Sequence, residues 1–197
     1  MMEFERWAQL PIRGSSIARL NSFGNLAHMS ASGNDFVLRV NAGGINGIKE
    51  NQHIAEGEFN LLGKYGINVV PHNYLIASET LVEGVKQPRL LTIANFVEGD
   101  SLVQPTGASS EQVTDLLNGL FSYYQDKVRT KETCLSDIDR LSQFVYGSIK
   151  GGEKKIYLVD LDLYLRDSTN LAFVFRNLRI MKYYMTRYDY CLPTDWQ

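Results

Sequence analysis

The sequence has few of the residues that build metal sites, disulfide frameworks and nucleophilic triads. Its 197 residues include two cysteines and three histidines. Cys134 and Cys191 lack any paired metal-binding spacing, and we expect a cytosolic chain to keep them reduced. His28, His53 and His72 stand singly in the first half of the chain, with no supporting motif. The sequence therefore gives little support for a zinc site or a Ser/His/Asp triad.

An excess of one charge and long apolar runs are also missing. The chain has 20 lysines and arginines and 22 acidic residues, for a net charge of -2. No basic stripe therefore points to nucleic acid or an anionic membrane surface. The apolar run 90–97 is far shorter than the roughly 20 residues that cross a bilayer. Residues 1–10 lack the cationic head and apolar stretch of a signal peptide. We expect a cytoplasmic protein that binds neither nucleic acid nor membrane.

The first half of the sequence reads as a small antiparallel sheet with one helix. Extended segments at 17–20, 26–30 and 35–40 are separated by Asn, Ser and Gly turns, and further strands are predicted at 73–77 and 89–97. Apolar residues at helical spacing predict a helix over 51–65 that ends at Gly66. The glycines between 43 and 47 lack the spacing of a phosphate loop and predict a turn.

The second half reads as a linker, a helix, a hairpin and a further helix. Residues 99–108 carry Pro and Gly, and Ser109 and Gln112 then have capping-box spacing. The helix that follows has one apolar face, formed by Val113, Leu116, Leu117, Leu120, Phe121 and Tyr124. A Gly-bearing turn at 150–153 predicts a hairpin that ends in acids. An apolar stripe over 171–181 predicts the last helix, with Ser168 or Thr169 as its cap.

The sequence contains five short motifs along these segments, at residues 22–26 (SFGNL), 36–40 (FVLRV), 96–102 (FVEGDSL), 135–145 (LSDIDRLSQFV) and 156–162 (IYLVDLD). In this order they resemble motifs of the choline-kinase-like and aminoglycoside-phosphotransferase-like small-molecule kinases. The resemblance spans about residues 15–165 and implies an α+β, two-lobed, protein-kinase-like fold. A sheet lobe with a crossing helix would occupy residues 1–98. A linker at 99–108 would lead to a reduced, mainly helical lobe with an acid-tipped hairpin at 109–197.

The resemblance also implies an ATP site. Gly24 and Asn25 would end the glycine-rich turn, and Arg39 would reach the nucleotide phosphates while a helical carboxylate, Glu58, holds it. Glu56 is the alternative to Glu58. Glu98 would lie in the interlobe connection, whose backbone would face adenine.

The remaining residues of the resemblance imply phosphoryl transfer to a hydroxyl. Asp137 would accept the proton of a small hydroxylated substrate. Asp160, with Asp162 or Gln143, would hold Mg²⁺. Leu135 stands where the family has His, Gln143 stands where it has Asn, and one extra residue separates Asp137 from Gln143.

Two other interpretations stay open. Those departures favour a pseudokinase that serves as a binding or regulatory module with a protein partner. The chain could also be an unrelated α+β interaction domain. In that case Arg39 and Glu58 would be surface ion-pair residues, Asp137 and Asp139 would be caps, and Asp160 and Asp162 would be a solvated strand end.

Overall fold

A computed structural model of the chain describes residues 16–19, 26–31, 33–41, 45–82, 85–103, 106–135, 138–161, 165–168 and 176. In chain order its elements are β1 (Ser16–Arg19), β2 (Leu26–Ala31), β3 (Asn34–Val40), α1 (Ile45–Leu62), a 3₁₀ turn (Gly63–Tyr65), β4 (Asn68–Val69), β5 (His72–Val82), β6 (Val85–Asn95), β7 (Glu98–Ser101), α2 (Ser110–Thr130), β8 (Thr133–Leu135), a 3₁₀ turn (Leu141–Gln143), β9 (Phe144–Ser148), β10 (Lys155–Leu158) and β11 (Leu165–Asp167). The predicted α+β class is confirmed.

The first sheet is antiparallel and has the strand order β1-β2-β3-β6-β5. Side chains alternate between its faces. One face buries a small cluster of Ala27, Met29, Leu38 and Leu91, so Arg39, the neighbour of Leu38 on β3, lies on the opposite face. The strands β5 and β6 pair over a longer stretch than predicted, because residues 80–82 also pair with residues 85–87.

The helix α1 begins six residues before the predicted start, since residues 45–50 are also helical. Gly66 ends the 3₁₀ turn that follows, as predicted, with a φ of 73° and its N–H bonded to the carbonyl of Gly63. Glycine adopts such a positive φ without a steric penalty. The turn leads the chain directly into β4.

A second sheet combines strands from both halves of the sequence. Its order is β4-β10-β9-β7, with β4 parallel to β10 and the other pairs antiparallel. Residues 99–101 of β7 fall inside the predicted linker. Its Gly99 lies opposite Gly147 of β9, and a Cβ at Gly147 would lie 2.3 Å from the carbonyl oxygen of Glu98. The division into lobes at 99–108 remains a prediction.

The helix α2 starts as predicted. The Ser109 hydroxyl accepts from the Gln112 N–H at 3.2 Å, and the Gln112 side chain accepts from the Ser109 N–H at 2.9 Å. The apolar face of α2 packs in a core that also contains residues of α1, β6, β8, β9 and β10. Tyr123 and Lys127 also lie on this buried face, whereas Phe121 is half-buried.

The predicted hairpin before Asp160 is confirmed by β9 and β10. Its turn includes Lys150 and Gly151, both with positive φ. A third, two-stranded sheet joins β8 to β11. The predicted helix at 171–181 lies outside the described residues apart from position 176. Ser168, one of its two suggested caps, donates its hydroxyl to the carbonyl of Lys127 at 2.7 Å, and its role as a cap stays a prediction. In the described part of the chain, no helix is long and apolar enough to cross a membrane.

Candidate active site

A salt bridge joins the first sheet to the acidic end of the second-sheet hairpin. A terminal nitrogen of Arg39 (Nη2) on β3 lies 2.6 Å from a carboxylate oxygen of Asp160, just beyond β10. Both side chains are largely covered, with 20% and 23% of their surface exposed. A guanidinium can donate bidentate hydrogen bonds to carboxylates and to phosphates. The sequence predicted both residues for one site, and the structure brings them into contact.

The segment that carries Asp160 is held against Gln143. Val159 donates its backbone N–H to the carbonyl oxygen of Gln143 at 3.0 Å. Gln143 ends a 3₁₀ turn in which its own N–H bonds to the carbonyl of Arg140 at 2.9 Å, and it is 8% exposed. Gln143 and Asp160, two of the three residues predicted to hold Mg²⁺, are therefore neighbours, because Gln143 is hydrogen-bonded to Val159, the residue before Asp160.

Glu58 faces a different partner from the predicted one. Its carboxylate accepts from the Tyr123 hydroxyl at 2.6 Å and from the Lys127 ammonium (Nζ) at 2.7 Å. The predicted Arg39–Glu58 ion pair is thus replaced by Arg39–Asp160 and Lys127–Glu58. The reason is helical geometry: Glu58 falls between Ala55 and Leu62 on the buried stripe of α1, which packs in the core with α2. The role of Glu58 in nucleotide binding stays a prediction.

Lys127 is a buried cation that the sequence reasoning missed. Its side chain is 4% exposed and also contacts the Glu132 carboxylate at 3.1 Å. Burial opposes its charge, but the hydrogen bonds that Lys127 donates to Glu58 and Glu132 outweigh this and raise the pKa of Lys127. The signal was present, because position 127 continues the α2 stripe by three residues from Tyr124. A lysine on an apolar stripe indicates a carboxylate partner across the core.

Tyr123 completes this buried polar cluster. Burial and the hydrogen bond to Glu58 raise the pKa of its hydroxyl, so the group remains a donor. Its oxygen accepts the backbone N–H of Leu135 at 2.8 Å. Cys134 lies beside it, and burial together with the Glu58 charge raises the pKa of that thiol to about 11. The thiol therefore stays protonated at neutral pH.

The other predicted site residues divide into two groups. Glu98 begins β7, where its side chain is exposed and its register partner is Ser148. Gly24, Asn25, Asp137 and Asp162 lie outside the described residues, and their roles stay predictions. Within the described ranges, no group of three or more His, Cys, Asp and Glu side chains could hold a metal ion.

No protein-family model and no curated protein matches this chain. It is similar in structure to PK-1, a kinase of Cydia pomonella granulovirus, with 15% identity and a TM-score of 0.45 over 84% of this chain and 57% of that one. It is also similar to the choline kinase LicA of Streptococcus pneumoniae, with 12% identity and a TM-score of 0.49 over 95% and 80% of the two chains. LicA in complex with AMP gives 13% identity and a TM-score of 0.44 over 95% and 79%. The chain thus spans little more than half the length of the viral kinase.

Proposed function

We propose that the protein is an ATP-dependent phosphotransferase that acts on a hydroxyl of a small metabolite. The observation that carries the proposal is the contact between Arg39 and Asp160 at 2.6 Å. It brings a cation of the first sheet, which in this proposal would bind phosphate, to the carboxylate at the end of a hydrophobic strand of the second. A phosphoryl-transfer site needs these two chemical groups at one place.

The residues around Asp160 suit a hard divalent cation. Mg²⁺ is usually bound by one or two carboxylates together with phosphate oxygens. Asp160 supplies a carboxylate, and Gln143, with its amide oxygen, is adjacent through the Val159–Gln143 hydrogen bond. These two residues would hold the ion, with Asp162 as a further candidate. The ion would neutralise charge on the transferred phosphoryl group.

The roles of the protein's own residues follow from their chemistry. Arg39 would turn from Asp160 toward the nucleotide phosphates, because it donates the same bidentate hydrogen bonds to either. Asp137 would accept the proton of the acceptor hydroxyl as that oxygen attacks the terminal phosphorus and ADP leaves.

Calorimetry with ATP and Mg²⁺ tests the nucleotide site. We expect the wild type to bind and Arg39→Ala to bind at least about tenfold more weakly, since it loses charge-assisted hydrogen bonds to phosphate. Asp160→Asn should abolish the gain in affinity that Mg²⁺ provides. Lys155→Ala is the matched control: it also removes one partner of a salt bridge, with Glu153 at 2.8 Å, but an exposed one on β10. Equal affinity in all four proteins would contradict the proposed site.

Turnover is tested by ADP release over a panel of amino alcohols, aminoglycosides and sugars. The wild type should exceed the background set by Asp137→Ala, while this variant should keep its nucleotide affinity, because the base acts on the acceptor hydroxyl. A wild-type rate equal to that background across the panel would contradict catalysis.

A second candidate function is a pseudokinase that binds a protein partner. The observation that favours it is the salt-bridge pattern: Arg39 neutralises Asp160, while Glu58 is engaged by Lys127. Arg39 and Glu58, the two charged residues expected at the nucleotide site, thus have partners within the protein. ATP binding without turnover, or no binding at all, would support this alternative.

A further inference from the structure

The salt bridge between Arg39 and Asp160 joins two opposite charges that would each bind a different part of a nucleotide complex. A terminal nitrogen of Arg39 lies 2.6 Å from a carboxylate oxygen of Asp160, and solvent still reaches both side chains, which keep 20% and 23% of their surface exposed. A guanidinium binds phosphate oxygens, and a carboxylate binds a hard divalent cation. In the structure each of these two groups is bound to the other.

The two side chains extend from backbone that is fixed in different sheets. At Arg39 the strand β3 pairs with β2 on one side and with β6 on the other. Asp160 follows Val159, whose N–H bonds to the carbonyl of Gln143 at 3.0 Å, and β10 lies between β4 and β9. An arginine side chain has many rotamers. The contact can therefore open by rotation of the Arg39 side chain while both sheets stay paired.

Charge determines which ligands open this contact. A phosphate alone would displace Asp160 from Arg39 and would then lie beside the displaced carboxylate, which repels it. A divalent cation alone would displace Arg39 from Asp160 and would lie beside the displaced guanidinium, which also repels it. A divalent cation bound to a polyphosphate replaces both partners at once, because its phosphate oxygens bind Arg39 while its cation binds Asp160.

We propose that the Arg39–Asp160 salt bridge is a charge latch: it weakens the binding of a polyphosphate alone and of a divalent cation alone, and it opens to their complex. This inference rests on the proposed function, because the complex in question is ATP with Mg²⁺. The two ligands are then coupled, and each raises the affinity for the other by the same factor. A salt bridge with only a structural role would stabilise the fold without this coupling.

Calorimetry with metal-free ATP, in the presence of EDTA, tests the charge latch in the full chain. The wild type is compared with Asp160→Asn, with Arg39→Gln and with the double variant that carries both changes. Glu153→Gln is the matched control. It also removes one carboxylate from a salt bridge, with Lys155 at 2.8 Å, but both partners of that pair are exposed.

We expect Asp160→Asn to bind metal-free ATP about tenfold more tightly than the wild type, within the usual range of coupling between two ligands. The reason is that the carboxylate no longer holds Arg39 and no longer repels the phosphates. In the Arg39→Gln background the same change should alter the affinity by less than about threefold, since no guanidinium remains to be held. Glu153→Gln should bind as the wild type does.

Three results would overturn the charge latch while the proposed function stands, provided that the wild type binds ATP with Mg²⁺. The first is an unchanged affinity of Asp160→Asn for metal-free ATP. The second is an equal gain in Glu153→Gln, which would indicate a general effect of net charge. The third is an equal gain from Asp160→Asn with and without Arg39.

Binding of Mn²⁺ without nucleotide is the reciprocal test, used if Asp160→Asn does not fold. Mn²⁺ takes the same oxygen ligands as Mg²⁺, and Arg39→Gln should bind it more tightly than the wild type, because the guanidinium no longer competes for Asp160. Equal Mn²⁺ affinity would overturn the latch. If the wild type binds ATP neither with nor without Mg²⁺, the proposed function fails. Asp160→Asn then decides alone: binding of metal-free ATP by this variant supports the latch, and no binding overturns it.

Discussion

Three tyrosines of the described chain, Tyr65, Tyr74 and Tyr123, differ in what their hydroxyls contact. The hydroxyl of Tyr123 has two partners, and that of Tyr65 donates to Asp126. Among the residues that the structure describes, no hydrogen-bond partner is found for the buried hydroxyl of Tyr74. A buried hydroxyl without a partner destabilises the folded state, because it loses its hydrogen bonds to water.

Tyr74→Phe should therefore raise the free energy of unfolding by about 1 kcal/mol at pH 7. Tyr65→Phe should lower it by a similar amount, since it removes a hydrogen bond to a carboxylate. Urea unfolding of the two variants and the wild type gives the comparison. A stability loss in Tyr74→Phe as large as that in Tyr65→Phe would contradict the prediction.

The comparison of Tyr74→Phe with the wild type also predicts a pH effect. Burial raises the pKa of Tyr74 above its usual 10.0, with a further contribution from the charge of Glu56. The unfolded phenol then loses its proton at a lower pH than the folded one, so the contribution of Tyr74 to stability is constant below about pH 10 and falls above it. Tyr74→Phe should lose less stability than the wild type between pH 9 and about pH 11. Parallel curves for the two proteins would show that Tyr74 does not titrate in this way.

At the scale of elements, α2 packs through Gly119 against the 3₁₀ turn at Gly63–Tyr65. A Cβ at Gly119 would lie 2.2 Å from the carbonyl oxygen of Tyr65 and 3.3 Å from the side chain of Ile67. The first contact is to backbone, which cannot rotate away as a side-chain end can. The helix and the turn therefore approach as closely as they do because position 119 has no side chain.

Gly119→Ala should lower the free energy of unfolding by about 2 kcal/mol, because α2 has to move away from the turn. Gly57→Ala is the matched control within α1, where a Cβ would meet nothing within 4 Å. That variant should gain up to about 1 kcal/mol from helix propensity. Thermal unfolding of both proteins measures the difference, and a stability gain in Gly119→Ala would refute the close contact.

Elements specified by local chemistry were predictable from the sequence, and those specified by distant partners were not. Ser109 and Gln112 cap their own helix, and Gly66 ends its own turn, so each signal lies within a few residues of its effect. The strand β7 at 98–101 carries no apolar alternation and exists because it pairs with β9. The partner of Glu58 was mistaken for the same reason, because which acid meets which cation depends on the helix face that the core buries.

At the scale of the whole molecule, β6 connects two apolar clusters. Leu91 belongs to the small cluster on one face of the first sheet, whereas Leu90 and Ala94 belong to the large core that contains Leu117 and Leu158. That core receives residues from both sides of the predicted linker at 99–108. Neither predicted lobe therefore has the large core to itself.

We expect the protein to unfold in one cooperative transition, because separation at the linker would expose this shared core to water. Calorimetry tests this by comparing the calorimetric enthalpy with the van't Hoff enthalpy, which should agree. Leu117→Ala should shift the whole transition to lower temperature without splitting it. Two resolved transitions, or a Leu117→Ala shift confined to one of them, would indicate independently folding lobes.

The pairing of β4 with β10 also determines the order in which the protein can be completed during synthesis. Asn68 bonds to the carbonyl of Ile156, which lies 88 residues further along the chain. At a translation rate of about 5–20 residues per second, Ile156 is made roughly 4–18 s after Asn68. Until residues 110–130 have been made, the buried face of α1, with Phe59 and Leu62, has no α2 to cover it, and β10 is missing for the whole interval. The nascent chain therefore carries an incompletely covered apolar helix face to which a chaperone could bind, and the core that covers this face is complete only when the last strand of the hairpin has been synthesised.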